Sequence, residues 1–515
     1  MVADKLEVLD GSTGPPMAGN TEEEPYSTFT VGQKRWIIGM VSFAGFFSPL
    51  SSSIYFPALP TIAKDLSVTS AQINLTVTTY LIIQGVAPMV VASFSDVAGR
   101  RPAYILCFAL YLAANLGLSL QNSYPALLGL RCLQSAGSSG TISLANGVVS
   151  DLVTSSERGK FISLASAGTI LGPTLAPIIG GLLTQYLEWH WLFWLLFILA
   201  GAFAIPFLLF TPETSRVIVG NGSISPPFLN SCLTDVFRRR KLAKTEHRIR
   251  KPERPRMQVP NLLKSLSVIA NLETVLVLLP AGFSSAALQA VLTDASKEFT
   301  ETYRYNTLQV SLMFIPIGVG GLLSVLFTGK LVDWNYRRHA KRLGLSVNRN
   351  KSQDMADFPL ERARLELSIP IFILLSVLVI VYGWIMTQHV NISGPIIILF
   401  ILGYAMIAVY QILSVLLVDI HPGQAATASA ANNLIRCELG AAFAAFIAPM
   451  IDGIGTGWSY TILALAVMAT VPGLLVTMRC GILWRKQKAA RETEKQGEKD
   501  GQSARVTTQS DENTA

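Results

Sequence analysis

Apolar stretches recur along the chain at nearly regular intervals. Twelve runs of at least 18 mostly apolar residues fall near 36–56, 71–92, 103–120, 125–148, 161–183 and 191–210, then 272–293, 308–330, 370–387, 394–416, 425–447 and 458–482. Roughly 20 residues of helix cross a hydrocarbon core about 30 Å thick, so each run is predicted to span a bilayer. Between the sixth and seventh runs the chain turns to Gly, Ser, Pro and basic residues. The pattern predicts a cytoplasmic N-terminal segment without fixed structure (1–35), a six-helix half (36–212), a cytoplasmic central loop (213–265), a second six-helix half (266–483) and an unstructured cytoplasmic tail (484–515). The predicted fold class is an all-α membrane protein: twelve transmembrane helices in two pseudo-symmetric six-helix halves around a central cavity.

Composition and charge agree with lipid as the solvent. Half of the 515 residues are hydrophobic and 14% are charged, against about 25% in an ordinary soluble domain. Mean hydropathy is +0.44. A net charge of +8 raises the question of nucleic acid, but the placement of the charge excludes it. Three of the 41 Lys and Arg (Lys64, Lys297, Arg304) fall in loops of one side and two (Arg131, Arg436) inside helices, and the rest lie on the other side. That asymmetry places both termini and the central loop in the cytoplasm. The basic run 237–256 can touch anionic headgroups or serve as a solvated linker. Residues 1–35 are polar and acidic and lack the apolar core of a cleavable signal, so the first span is expected to serve for targeting. The five cysteines have no paired spacing in an outer loop, and no disulfide is expected.

Charge does appear between spans, twice in the same order. "SFSDVAGRRP" (93–102) and "TGKLVDWNYRRH" (328–339) align Asp96 with Asp333, Arg100 with Arg337, Arg101 with Arg338, and Ala92 with Gly329. Gly168 and Pro177 of helix 5 likewise align with Gly440 and Pro449 of helix 11, at a larger offset that the longer connection 339–369 accounts for. Parallel six-span repeats are a transporter architecture. Asp96 and Arg100 lie one helical turn apart and can pair, while Arg101 can reach headgroups or acidic partners. A cytoplasmic anchor would explain the arginines but leaves Asp96 and Gly99 without a reason.

Polar residues inside spans are the other candidates. Arg131, Gln134, Ser135 and Ser138 share one face of helix 4. A central arginine costs about 2.5–3.5 kcal/mol on insertion scales, so Arg131 is expected to face a wet cavity or a partner. Helices 1, 2 and 5 offer no acid at its depth. Helix 11 carries a stripe of Ser429, Asn432, Asn433 and Arg436 that ends at Gly440. Glu438, read as the only acid near mid-membrane, stands about 200° around the helix from Arg436. It is either a proton-carrying carboxylate or a buried neutral one. In helix 5, Gly168, Gly172, Gly180 and Gly181 clear one side for close packing, and Pro173 and Pro177 remove backbone donors.

No nucleotide loop is present: Gly329-Lys330 is followed by Leu331 and preceded at the required spacing by Ser324. The five histidines are scattered without metal spacing. No nucleophile constellation stands out, so an enzyme is not expected, and a duplicated gate motif speaks against a channel.

These motifs resemble the major facilitator superfamily, and within it the fungal twelve-span drug:proton antiporters. The family's loop 2–3 motif is matched by Ala92, Phe94, Ser95, Asp96, Gly99, Arg100 and Arg101, with Ala92 where Gly is usual and Val97 where Arg is usual. The helix 4 motif is matched by Arg131 and Gln134, with Ser135 in place of Gly. The helix 5 antiporter motif is matched by "GTILGPTLAPIIGG". The resemblance runs from about residue 36 to 480. It implies that the 2–3 loop is a latch meeting the start of helix 11. It also implies that Tyr55, Gln289, Tyr410 and Gln411 lie near the cavity, and that the chain exports amphipathic organic compounds in exchange for protons. The implied partners are a small-molecule substrate, protons and lipid, with no cofactor and no nucleic acid, in a monomer of the plasma membrane. Alternatives are an exporter dedicated to one metabolite, such as an organic acid or a polyamine, and an uptake carrier.

Overall fold

The computed structural model describes residues 27–153, 167–222, 224, 226–227, 230–233, 271–342, 358–388, 390–421 and 425–487. Most of the N-terminal segment, the central loop with its basic run, and the C-terminal tail lie outside the described residues. Twelve long helices follow one another: α1 (Val31–Ser53), α2 (Ser70–Ala98), α3 (Arg100–Leu120), α4 (Tyr124–Leu152), α5 (Ala167–Tyr186), α6 (His190–Phe210), α7 (Leu272–Tyr303), α8 (Ile315–Arg342), α9 (Leu360–Thr387), α10 (Ser393–Ile420), α11 (Ala425–Ile454) and α12 (Thr456–Met468, resuming after a break to end at 487). The described residues contain no strand. Ten of these helices are long and apolar enough by composition alone to cross a membrane. The other two, α4 and α5, are 29 and 20 residues long, and α4 carries the predicted polar face.

Local chemistry sets the ends. Thr30 with Gln33, Thr69 with Gln72, and Asn306 with Gln309 form capping boxes that satisfy the first free N–H groups. The helices also run further than the apolar runs that announce them. The connection between α2 and α3 is a single residue, Gly99, at φ +105°; only glycine adopts that backbone cheaply. The expected eighth span is two pieces: a short helix Thr307–Leu312 precedes α8, which starts afresh with Pro316 in its first turn. Near the other edge of the apolar run, α7 continues to Tyr303, past the expected end at 293.

The pairing of helices repeats between the halves. In the first half α1 packs on α4 and α5, α2 on α4, and α3 on α4 and α6. In the second half α7 packs on α10 and α11, α8 on α10, and α9 on α10 and α12. The halves meet through α2 against α11 and α5 against α8, two contacts that exchange under the same pseudo-two-fold relation. Large apolar side chains such as Ile205 (63% exposed), Leu326 (61%) and Leu465 (59%) cover the outside. Lipid tails are as apolar as these residues, so cohesion inside the bundle comes from close packing and polar contacts. An aromatic cluster of Phe43, Phe47, Phe108, Tyr111, Phe203 and Phe207 locks α1, α3 and α6 together.

Candidate functional site

Below, the end of the bundle bearing Asp96 and Arg342 is the arginine end, and the end bearing Asp65 and Tyr303 is the far end. Arg131 stands seven residues into α4, about 10 Å from its far end. It is 1% exposed. Its guanidinium lies between two rings, 4.2 Å from the centroid of Tyr55 and 4.3 Å from that of Tyr80. Nη1 donates to Gln134 Oε1 (2.6 Å) and to the Ser51 carbonyl (3.3 Å). Gln134 Nε2 donates to Asn115 Oδ1 (2.7 Å), Asn115 Nδ2 to the Tyr111 carbonyl (2.7 Å), and the Tyr111 hydroxyl meets Ser51 Oγ (2.5 Å), which closes a ring through α1, α3 and α4. Tyr80 reaches Ser138 Oγ (3.1 Å) and Tyr55 reaches Thr76 Oγ1 (2.9 Å). Of the two expected surroundings, a wet cavity or a partner, the described residues supply partners. The backbone turn after Ser53 folds Tyr55 over the charge, and a desolvated cation over a ring is worth about 2 kcal/mol. Two such faces stand where a carboxylate would otherwise be needed. Arg131 Nε has no hydrogen-bond partner among the described residues.

A second cluster lies where α11 meets α2. Asn433 Nδ2 donates to the Gln84 carbonyl of α2 (3.2 Å), crossing between halves. Arg436 Nη2 donates to Asn433 Oδ1 (2.9 Å), and its guanidinium stands 6.0 Å from the Tyr410 ring centroid on α10. The predicted stripe splits here: Asn432 turns away to Ser414 of α10 (2.9 Å). Glu438 makes no hydrogen bond among the described residues, and its Oε1 lies 3.1 Å from the point where a Cβ on Gly85 would stand, apart from Arg436. Gln289 of α7 lies against Gly440, its Oε1 buried without a hydrogen-bond partner among the described residues. Gln411 is half-buried and follows Tyr410 in α10.

Glu438 is not the only acid held inside the bundle. Because α7 continues past its apolar run, Asp294 enters the second half, 2% exposed.

At the arginine end, Arg100 pairs with Asp96 (2.8 Å) as the spacing predicts, and also with Asp151 of α4 (2.9 Å). Glu213, just past α6 and 2% exposed, caps α3. Its Oε1 accepts the N–H groups of Arg100, Thr214 and Ser215 (2.9 Å each), and its Oε2 those of Arg101 (3.2 Å) and Asn230 Nδ2 (2.7 Å). A carboxylate at a helix N-terminus meets both free donors and the positive dipole end. A Cβ at Gly99 would strike both Glu213 and Asn230. Arg101 turns inward to the Leu208 carbonyl (2.5 Å) rather than toward headgroups. The residues just before α11, which the latch would meet, lie outside the described residues.

The second copy of the motif does not repeat these contacts. α8 runs unbroken through it, so no glycine corner gathers the charges. Asp333, Arg337 and Arg338 are exposed, Arg338 lies over Trp334 (5.7 Å), and Gly329 faces open space. Other residues do the equivalent pairing: Arg364 of α9 with Asp419 of α10 (3.1 Å) stands as Arg100 does with Asp151, and Arg485 of α12 holds Glu361 (2.5 Å). Spacing against the first motif did not reveal them. The signal for Glu213 was a lone acid following Pro212 at the end of an apolar run.

In α5, a Cβ at Gly172 would lie 3.0 Å from Pro49 and one at Gly180 would meet the Ile54 carbonyl, so both glycines seat the helix on α1. Gly181 faces the other half, against Ser311. Pro173 and Pro177 lie within the helix and Gly168 in its first turn.

Two six-helix bundles meeting through α2–α11 and α5–α8, with buried charges at their polar clusters, define a membrane carrier of small solutes. The chain belongs to the Major Facilitator Superfamily, whose family model matches residues 41–445. It is 57% identical over 474 residues to the MFS-type transporter phiD of a fungal species, covering 92% of this chain and 72% of that one. It is 32% identical over 487 residues to Citrate exporter 1 of Aspergillus niger, covering 92% and 91%. In fold it resembles the xylose transporter XylE of E. coli in a partially occluded inward-open conformation, with a TM-score of 0.59 at 14% identity, covering 87% of this chain and 99% of that one.

Proposed function

We propose that the chain is a proton-coupled exporter of amphipathic organic compounds, such as drugs, antifungals or secondary metabolites, working by alternating access in the plasma membrane with both termini in the cytoplasm. The observation that carries this reading is α5. Gly172 and Gly180 seat the helix on α1 while Gly181 presses on the other half, close packing that small residues permit, and the Gly-Pro order resembles the antiporter motif, which favours export. The halves touch along their depth: Ser296 donates to the Phe56 carbonyl (2.7 Å), Thr78 to the Ala441 carbonyl (3.3 Å), Thr174 lies against Gly318, and Asn433 reaches Gln84. On this reading the far end is extracellular. Arg131, Gln134 and Ser138 form the core of one half's pathway. Asn433, Arg436, Glu438, Gln289, Tyr410 and Gln411 line the other's.

A second reading, export of one organic acid, is favoured by the cationic character of Arg131 and Arg436 together with the citrate exporter among the relatives. A panel separates the two. Expressed in a drug-sensitive yeast, the protein is expected to raise tolerance to several unrelated amphipathic compounds and to speed dye efflux, and a protonophore should abolish both. Efflux of a single carboxylate with no change in tolerance supports the second reading.

A further inference from the structure

Inside the second half lies a buried acid whose hydrogen bonding is incomplete. Asp294 sits nine residues before the end of α7, about 14 Å below the far end. An ionised carboxylate offers roughly four acceptor positions, and among the described residues Asp294 receives one side-chain donor, the Tyr460 hydroxyl of α12 (3.2 Å). Edge-on to the Tyr460 ring, at 5.1 Å between centroids, stands Tyr382 of α9. Tyr382 is 0% exposed, and its hydroxyl has no hydrogen-bond partner among the described residues. A buried hydroxyl without an acceptor among the described residues therefore stands beside the tyrosine that donates to Asp294, where α7, α9 and α12 meet. Leaving a buried polar group unpaired is costly, so the arrangement fits one member of a pair of states better than a fixed structural contact.

We propose that Asp294 is the proton-binding site of the transport cycle, with the hydroxyls of Tyr460 and Tyr382 as the partners that re-form when its charge changes. The proposal rests on the proton-coupled reading above and names its carrier. Charged, the carboxylate draws both hydroxyls; neutral, it keeps one and releases Tyr382. That exchange couples the charge of α7 to the packing of α9 and α12. The remaining titratable and charged groups around Asp294 are Lys297, Glu298 and Glu301 on α7 itself and Asp452 on α11. Lys297 is held by Asp452 (3.0 Å) and Glu298 by Thr456 (2.7 Å), one turn nearer the far end, where protons would enter. On α10, which packs on α7, the buried residues Leu399, Leu402, Ala405 and Met406 are apolar.

The test reads far-end opening without a substrate. Spin labels on Leu187→Cys and Val390→Cys, in the full chain with its five native cysteines replaced, report the separation of the halves in nanodiscs between about pH 5.5 and about pH 8. The unmodified site is expected to shift the distance distribution with pH. Asp294→Asn should hold one distribution, that of the acidic sample, at every pH. Asp294→Glu should keep the response with a displaced midpoint. A pH response that survives in Asp294→Asn, or an unmoved midpoint in Asp294→Glu, overturns the assignment while leaving proton coupling intact. No pH response in the parent protein overturns proton coupling and the assignment with it.

Discussion

Among the described residues Arg131 has no counter-ion, and that shapes what its removal should do. The Gln134–Asn115–Tyr111–Ser51 chain, Tyr55 with Thr76 and Tyr80 with Ser138 would stay hydrogen-bonded in Arg131→Ala, so the fold has other support while a permanent charge disappears from the bundle. The expected outcome is a monodisperse protein whose gradient-driven transport falls at least about 100-fold, a loss of about 2.7 kcal/mol in the rate-limiting barrier. Wild-type flux in a folded Arg131→Ala protein would remove it from the pathway. Arg131 was legible because a lone charge in an apolar run has few innocent explanations. Its cage was not: Tyr55 and Tyr80 sit in apolar runs where an aromatic residue fits packing, the interface or a ligand equally well. Asp294 escaped because its apolar run ends at 293, and hydropathy does not register that α7 continues with its acid turned inward.

Among the elements, the α2–α3 corner shows how far a motif can be read. Asp96 with Arg100 followed from one-turn spacing, but Asp151 and Glu213, which complete the knot, come from 51 and 113 positions away, beyond any local pattern. The second copy of the motif matched in letters and not in structure, because Gly99 breaks the first into two helices while α8 continues through the other. A paired experiment follows from this difference. Gly99→Ala puts a Cβ into Glu213 at positive φ and is expected to destabilise the purified protein by about 1–3 kcal/mol, seen as a lower melting temperature. Gly329→Ala, which meets open space, should leave melting unchanged. Equal melting for both would mean that the corner is not held by Glu213.

At the scale of the whole molecule, twelve apolar runs and a polar interruption after the sixth were enough for the number of helices and the two halves, since bilayer thickness imposes span length. Which helices meet was not readable, because lipid-facing and partner-facing positions are equally apolar and α2–α11 and α5–α8 contacts depend on distant glycines. Those contacts allow the halves to rock, and proton-driven export is the claim that rocking is asked to serve. Liposomes carrying the purified transporter and a trapped pH dye test it most directly, with rhodamine 6G as the probe and the proton gradient imposed or collapsed. The expected result is that an imposed gradient speeds rhodamine movement toward the acidic side, and that rhodamine supplied on the neutral side in turn speeds proton movement out of the acidic side. Rhodamine flux indifferent to the gradient, with no reciprocal proton movement, would contradict it.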